Sequence, residues 1–211
     1  MCAYRNNPNI EVDIPPALAH LRTAIFESLP NSDAMGWPLR FMNAIAPGAD
    51  LALVEPEFNR WMLDSIALPS AGSDEAVRAA IRGTIEVFDR WIATGTVDKS
   101  MAHAAYRAAN RAALDAANSA ASRAARCATY AAHSATWDSA GSATAAATRS
   151  AAHSAAYSAA RSALYAARRG AANRAAHSAA YSAAAPAAIT AAYRAAYQAM
   201  ADKLLDLIEA K

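Results

Sequence analysis

The sequence predicts an all-α protein in which an N-terminal helical layer continues into an alanine-rich, closely packed bundle of repeated helices. Alanine occupies 47 of the hundred positions 101–200, and it has the highest helix propensity because ordering its side chain costs no entropy. The sequence Ala-Ala-His-Ser-Ala begins at Ala131, Ala151 and Ala175. Such repetition is typical of stacked helices joined by tight turns.

The N-terminal helical region covers residues 1–97 and is predicted to contain about four helices. Apolar residues at helical spacing and nearby prolines place the first three over residues 18–29, over residues 39–46 and from Glu55 onward. The side chains expected to face inward are Leu18, Leu21, Ile25, Leu29, Phe58, Trp61, Met62 and Ile66.

The fourth helix of this region has a signal at each end. Asp74 supplies a capping carboxylate and Glu75 an acidic first turn, which the partial positive charge of a helix N-terminus stabilises. Apolar side chains recur at helical spacing through residues 77–92, and Gly95 follows as a typical C-terminal glycine. The pattern predicts a strongly amphipathic helix between Asp74 and Gly95.

The alanine-rich helical repeat bundle covers residues 98–211. Alanine recurs at every fourth position from Ala151 to Ala199. Since a helix turns about 100° per residue, this stripe moves about 40° around the axis with each step. Either the helices are short, or several of them contact neighbours on more than one side, and the second condition suits a closely packed bundle. Glycine and proline positions divide the bundle into helices near residues 99–118, 119–138, 145–169, 171–184 and 186–210.

Large side chains stand between the alanines, and because each alanine buries little apolar area, they are expected to supply packing. They include Tyr106, Leu114, Tyr130, Tyr193 and Tyr197. The histidines are expected to pack against tyrosine; His153 and Tyr157, for example, lie four residues apart on one helix face. The last helix carries an apolar stripe that is expected to dock on the N-terminal region. This stripe consists of Met200, Leu204, Leu207 and Ile208.

Charge is distributed unequally along the chain. Residues 1–100 carry 13 acidic and 8 basic side chains, whereas residues 101–200 carry ten arginines against Asp115 and Asp138, with no lysine and no glutamate. The planar guanidinium group suits carboxylates and phosphates, although a GC-rich genome also favours arginine and alanine. We predict a basic, tyrosine-bearing partner-binding face. Its residues are Arg107, Arg111, Tyr157, Arg161, Tyr165, Arg168 and Arg169.

The sequence contains none of the motifs that mark common catalytic or cofactor sites. A Gly-rich dinucleotide or phosphate loop and a His-Glu-x-x-His pair are both missing. The histidines of the bundle are too far apart in sequence to suggest a metal site, and two aspartates among many serines do not predict a catalytic triad. We therefore expect a protein without enzymatic activity, catalytic residues, metal or cofactor.

Two cysteines are too few for a disulfide framework, so a reducing cytoplasm is the expected compartment. The first seven residues contain no apolar core, so we expect no signal peptide. The longest uncharged run consists mainly of alanine and serine, and we expect no transmembrane span.

Over roughly residues 76–210 the chain resembles alanine-rich helical proteins of bacterial mobile elements, which include immunity proteins associated with polymorphic toxins and phage-encoded anti-defence proteins. The resemblance rests on Arg78-Ala79-Ala80-Ile81, Trp91, Gly95, the Ala-Ala pairs with His103, Tyr106, His133 and His153, and the ending Ala201-Asp202-Lys203-Leu204-Leu205. It implies a cytoplasmic, non-catalytic protein that binds and blocks a toxin or a host defence complex.

The predicted function is therefore inhibition in bacterial conflict, by steric masking of a protein partner through the basic face. The first alternative is a nucleic-acid or nucleotide binding protein, in which arginine meets phosphate and tyrosine stacks on bases. The second is a structural, oligomeric helical component. The arginines could also pair with the acidic N-terminal region of the same chain.

Overall fold

The computed structural model describes residues 14–116, 119–135, 146–147, 149–156 and 174–211, apart from the side chains of residues 119–120, 122–123, 133–134 and 174–185. Throughout these residues the regular structure is helical and no strand occurs, which confirms the all-α prediction. The helices are α1 (Pro16–Phe26), α2 (Asn31–Ala44), α3 (Val54–Met62), α4 (Leu68–Ser70), α5 (Glu75–Thr94), α6 (Lys99–Asp115), α7 (Ser119–Ser134) and α8 (Arg174–Glu209). A π-helical turn (Leu63–Ala67) joins α3 to α4, and residues 146–147 and 149–156 are also helical.

The N-terminal helices form their core from the predicted apolar side chains. Leu18, Leu21 and Ile25 of α1 are fully buried, as are Phe58 and Met62 of α3. Trp61 and Ile66, which were predicted to face inward as well, are half-buried and pack against this core. Burial of one face by successive amphipathic helices explains why these segments fold as a layer.

Helix α5 begins and ends at the predicted residues. The Asp74 side chain accepts a hydrogen bond from the backbone N–H of Val77 at 3.1 Å, which satisfies one of the unpaired amides of the first turn. Gly95 ends the helix with a φ of 69°, and its N–H donates to the carbonyl of Trp91 at 2.8 Å. Glycine suits this left-handed position because it has no Cβ.

The prediction of a helix over residues 39–46 was wrong about where it starts. Helix α2 begins at Asn31, and Pro38 lies inside it. A proline inside a helix removes one backbone hydrogen bond. Trp37 and Phe41, one turn apart, are both buried on the inner face, and the Trp37 indole N–H donates to the carbonyl of Arg22 at 3.4 Å. This packing outweighs the local cost of the proline.

The predicted boundary between residues 171–184 and 186–210 was also wrong. Helix α8 is continuous through Pro186. Alanine surrounds the proline on both sides, and the high propensity of those residues extends a helix once it has formed. One missing hydrogen bond is a small loss in a helix of 36 residues.

Helix α7 joins the alanine-rich region to the N-terminal region. It packs against α6, α5, α4 and the π-helical turn, so it has neighbours on several sides. Its buried side chains are almost all small, and the Thr129 hydroxyl donates to the carbonyl of Ala125 at 3.0 Å. Small side chains let the helix axes approach closely. The buried alanines are Ala121, Ala124, Ala125, Ala128, Ala131 and Ala132.

The last helix packs against the N-terminal region. Met200, Leu204 and Ile208 of α8 are buried, and α8 packs on α1, α2 and α3, which confirms the predicted docking. At the C-terminus, Lys211 Nζ lies 2.7 Å from a carboxylate oxygen of Glu57. A single hydrophobic cluster includes residues from both predicted regions. Among the described residues, no helix is both long enough and apolar enough to span a membrane.

Candidate partner-binding surface

Helix α6 carries the part of the predicted partner-binding face that the structure describes. Asp98 caps the N-terminus of this helix, and its Oδ1 accepts hydrogen bonds from the N–H groups of Ser100 at 3.0 Å and Met101 at 3.1 Å. The Ser100 hydroxyl donates to the same oxygen at 2.7 Å, and this bond, with that from Met101, lowers the pKa of Asp98 below its ordinary value. The cap fixes where the helix begins.

The fully packed residues of α6 are all alanine, and Met101 and Tyr106 lie partly buried beside them. Ala102, Ala105, Ala109, Ala112 and Ala113 are buried, and they follow the three- and four-residue spacing of a single helix face. The opposite face is therefore exposed to solvent. Exposed residues there form a line along the helix, which we call the α6 stripe: His103, Arg107, Arg111 and Leu114.

The stripe combines charge with one large apolar side chain. Arg107 and Arg111 lie one turn apart, about 6 Å along the axis. Leu114 follows at about 10 Å from Arg107, and 74% of its surface is exposed. Leu114 was predicted to supply packing, and that prediction was wrong because residue 114 lies opposite the buried alanines. Tyr130 of α7, predicted to pack in the same way, is also exposed.

Arg107 and Arg111 of the stripe form no ion pair with another described residue. Carboxylates pair with Arg60, Arg78, Arg82 and Arg90 of the N-terminal region, and Arg40 pairs with Asp202 of α8. The described arginines of the alanine-rich tract are all exposed, and no ion pair within the described part of the chain involves them. They are Arg107, Arg111, Arg126, Arg149 and Arg194. At these positions, pairing with the chain's own acidic region is not observed.

The structure thus brings together two residues of the predicted face. Arg107 and Arg111 share the α6 stripe, whereas Tyr157, Arg161, Tyr165, Arg168 and Arg169 lie outside the described residues. Leu114 was missed as a contact residue. Its position seven residues after Arg107 and three after Arg111 was the signal in the sequence that could have identified it.

A histidine–tyrosine contact links two other helical segments. The Tyr193 hydroxyl of α8 and Nδ1 of His153 share a hydrogen bond, and the two rings meet edge to face with centroids 5.1 Å apart. Histidine therefore packs against tyrosine, as predicted. The specific prediction of a His153–Tyr157 pair involves a residue outside the described part of the chain. The observed partner comes from α8.

The described residues include one cysteine, and it lies away from solvent. Cys127 is buried in α7, and burial raises the pKa of its thiol to about 12, so the nucleophilic thiolate is disfavoured at neutral pH. No group of three or more His, Cys, Asp or Glu side chains that could hold a metal ion occurs among the described residues.

Comparisons with protein-family models, with curated proteins and with solved structures found no match for this chain.

Proposed function

We propose that this protein is a non-catalytic binding protein that masks an acidic surface of a protein partner with its α6 stripe. The observation that carries the proposal is the exposure of Arg107 and Arg111 without a carboxylate partner among the described residues. In the N-terminal region, by contrast, several exposed arginines already pair with carboxylates. Arginine forms planar, two-point hydrogen bonds with carboxylates, so the stripe suits an acidic partner.

Leu114 supports a protein partner over a nucleic acid. A largely exposed leucine gains free energy when it enters an apolar pocket, and a phosphate backbone offers no such pocket. Interfaces typically combine an apolar centre with a charged rim. The resemblance to proteins of bacterial mobile elements suggests the identity of the partner, a toxin or a component of a host defence complex, and hence a role in inhibition.

The experiment is a tagged pull-down from the native bacterial host, divided into nuclease-treated and untreated halves. It compares the native chain with R107E/R111E and with R149E/R194E, a control that changes two exposed arginines elsewhere by the same charge. We expect one stoichiometric protein that survives nuclease, is lost with R107E/R111E and is kept with the control. With the partner purified, R107E/R111E should weaken binding at least about tenfold, or about 1.4 kcal/mol.

Equal loss with both variants would refute the stripe as the binding surface, because it would show dependence on total charge alone. A partner set that disappears with nuclease would refute the protein partner. The second outcome would favour nucleic-acid binding, for which the ten arginines and absent lysines and glutamates of residues 101–200 are the supporting observation.

Nucleic-acid binding has its own quantitative test. Each phosphate that a protein neutralises contributes about −0.9 to the slope of log K against log salt on duplex DNA. If Arg107 and Arg111 contact phosphates, then R107E/R111E should reduce the steepness of that slope by about 2. An unchanged slope would exclude these arginines from phosphate contacts.

A further inference from the structure

The α6 stripe is a nearly straight row on a single helix. Arg107 and Leu114 lie within about 20° of each other around the helix axis, and Arg111 lies about 40° from Arg107. The row from His103 to Leu114 is about 16 Å long, and all of its members are exposed. One narrow, straight element of a partner is therefore enough to contact the whole stripe.

Small side chains lie beside the stripe. Ala104 and Ala108 are exposed as well, and they lie about 20° and 60° around the axis from Arg111. Because a methyl group projects little beyond the backbone, a partner can approach α6 closely on this side. The distance between two packed helices depends on the side chains at their contact, so exposed alanines favour a close helix–helix contact.

The surface suits a helix better than an extended segment. A strand has backbone N–H and C=O groups that need partners along its edge, whereas the interior of a helix such as α6 pairs its own backbone groups and offers side chains only. No sheet edge that could accept a strand occurs among the described residues. A helix presents side chains one turn apart at about 6 Å, which is the separation of Arg107 and Arg111 along α6.

We propose that the α6 stripe binds an acidic, amphipathic helix of its protein partner, about three turns long. Two carboxylates one turn apart on that helix pair with Arg107 and Arg111. An apolar side chain on the same face packs against Leu114, which removes its exposed surface from water. This inference rests on the proposed function and specifies which kind of surface the partner presents to the stripe.

The test measures binding of a labelled peptide to the full chain by fluorescence anisotropy at about 0.05 M salt, where exposed charges are only partly screened. The probe, which we call the helical peptide, has a central leucine with glutamates three and seven residues away on both sides. This spacing matches Leu114, Arg111 and Arg107 in either orientation. Alanine and glutamine fill the other positions, and a side-chain lactam bridge on the opposite face keeps the short peptide helical.

Two control peptides separate shape from composition. The rearranged peptide has the same residues and bridge, in an order that distributes the glutamates around the helix. The extended peptide keeps the order of the glutamates and leucine but lacks the bridge and has prolines in its interior, which prevent a helix. We expect the helical peptide to bind at least about tenfold more tightly than either control, because it alone presents its carboxylates and its leucine on one helix face.

Variants of the chain assign the contact to the stripe. R107E/R111E should bind the helical peptide at least about tenfold more weakly than the native chain, and Leu114→Ala should weaken binding several-fold because an apolar contact is lost. R149E/R194E should bind like the native chain. A helical peptide with lysine in place of its glutamates should bind R107E/R111E and not the native chain, since the charges of both sides are exchanged. Circular dichroism checks that every variant remains helical.

Each contrary result overturns the inference. Equal affinity for the rearranged peptide would show attraction by net charge alone, and equal affinity for the extended peptide would show that the stripe does not prefer a helix. Absence of saturable binding up to about 1 mM of the native chain, or equal weakening by R107E/R111E and R149E/R194E, would remove the stripe as the site for such a helix.

The pull-down tests the proposed function separately. A purified protein partner that R107E/R111E fails to bind, together with a helical peptide that the native chain does not bind, would contradict only the acidic helix and leave the proposed function standing. Specific binding of the helical peptide without any protein partner that survives nuclease would contradict the proposed function instead.

Discussion

Two glycines, one inside helix α5 and one at its C-terminal end, test the backbone argument with the same chemical change. Gly95 ends the helix at a φ of 69°, whereas Gly83 lies within the helix, and a Cβ added at either position meets no atom within 4 Å. Packing therefore contributes nothing to either substitution. The effect of alanine at each site depends on the backbone alone.

The expected effects have opposite signs. Alanine in the left-handed conformation costs about 1–2 kcal/mol, and the reduced entropy of the unfolded chain returns about 0.4–1 kcal/mol. Gly95→Ala should thus lower the free energy of unfolding by roughly 1 kcal/mol. In the helix interior, alanine is more favourable than glycine by about 1 kcal/mol, so Gly83→Ala should raise the free energy of unfolding by that amount.

Urea unfolding followed by far-ultraviolet circular dichroism measures both values. The two variants should differ by about 2 kcal/mol, and thermal midpoints should move in opposite directions by about 2–4 °C each for a chain of this size. Shifts of the same sign in both variants would refute the reasoning, because they would show that something other than backbone conformation decides the outcome.

Two further predictions concern buried side chains. Leu204→Ala should lower the free energy of unfolding by about 2–5 kcal/mol in urea titrations, because it leaves a cavity where α8 docks. Leu207→Ala, at a half-buried position, should lower the free energy of unfolding by less. Equal losses in the two variants would contradict the docking. In a Cys2→Ser variant, Cys127 should not react with iodoacetamide at about pH 8 without urea, because burial raises the pKa of its thiol to about 12 and the thiol stays protonated. Mass spectrometry locates any modified residue. Modification of Cys127 in the folded chain would contradict its burial.

The sequence allowed the helices with local signals to be predicted. Asp74 and Gly95 mark the ends of α5 because capping depends on a few neighbouring residues. The course of α2 and α8 was harder to predict, since Pro38 and Pro186 argue for interruptions. In α2, burial of Trp37 keeps the helix continuous at Pro38. This burial depends on contacts between residues distant in sequence, which local propensity does not give.

The candidate surface was predicted in part. Composition identified Arg107 and Arg111, because ten arginines without lysine or glutamate are unusual in a helical tract. Leu114 was assigned to packing on its size alone. The exposure of Leu114 follows only when Ala109 and Ala112 are recognised as part of the inner face. That recognition requires knowing which side of α6 packs against the core. In α6, the small residues mark the core, and the large residue Leu114 does not belong to it.

The two faces of α6 separate folding from binding. The inner face of α6 packs through alanines, while Arg107, Arg111 and Leu114 make no buried contact that the fold requires. Exposed arginines without ion pairs contribute little to stability, so R107E/R111E should unfold at nearly the same urea concentration as the native chain. Loss of partner binding in that variant can then be attributed to the surface itself. A large loss of stability would instead mean that these arginines support the fold, and the proposed function of the α6 stripe would lose its basis.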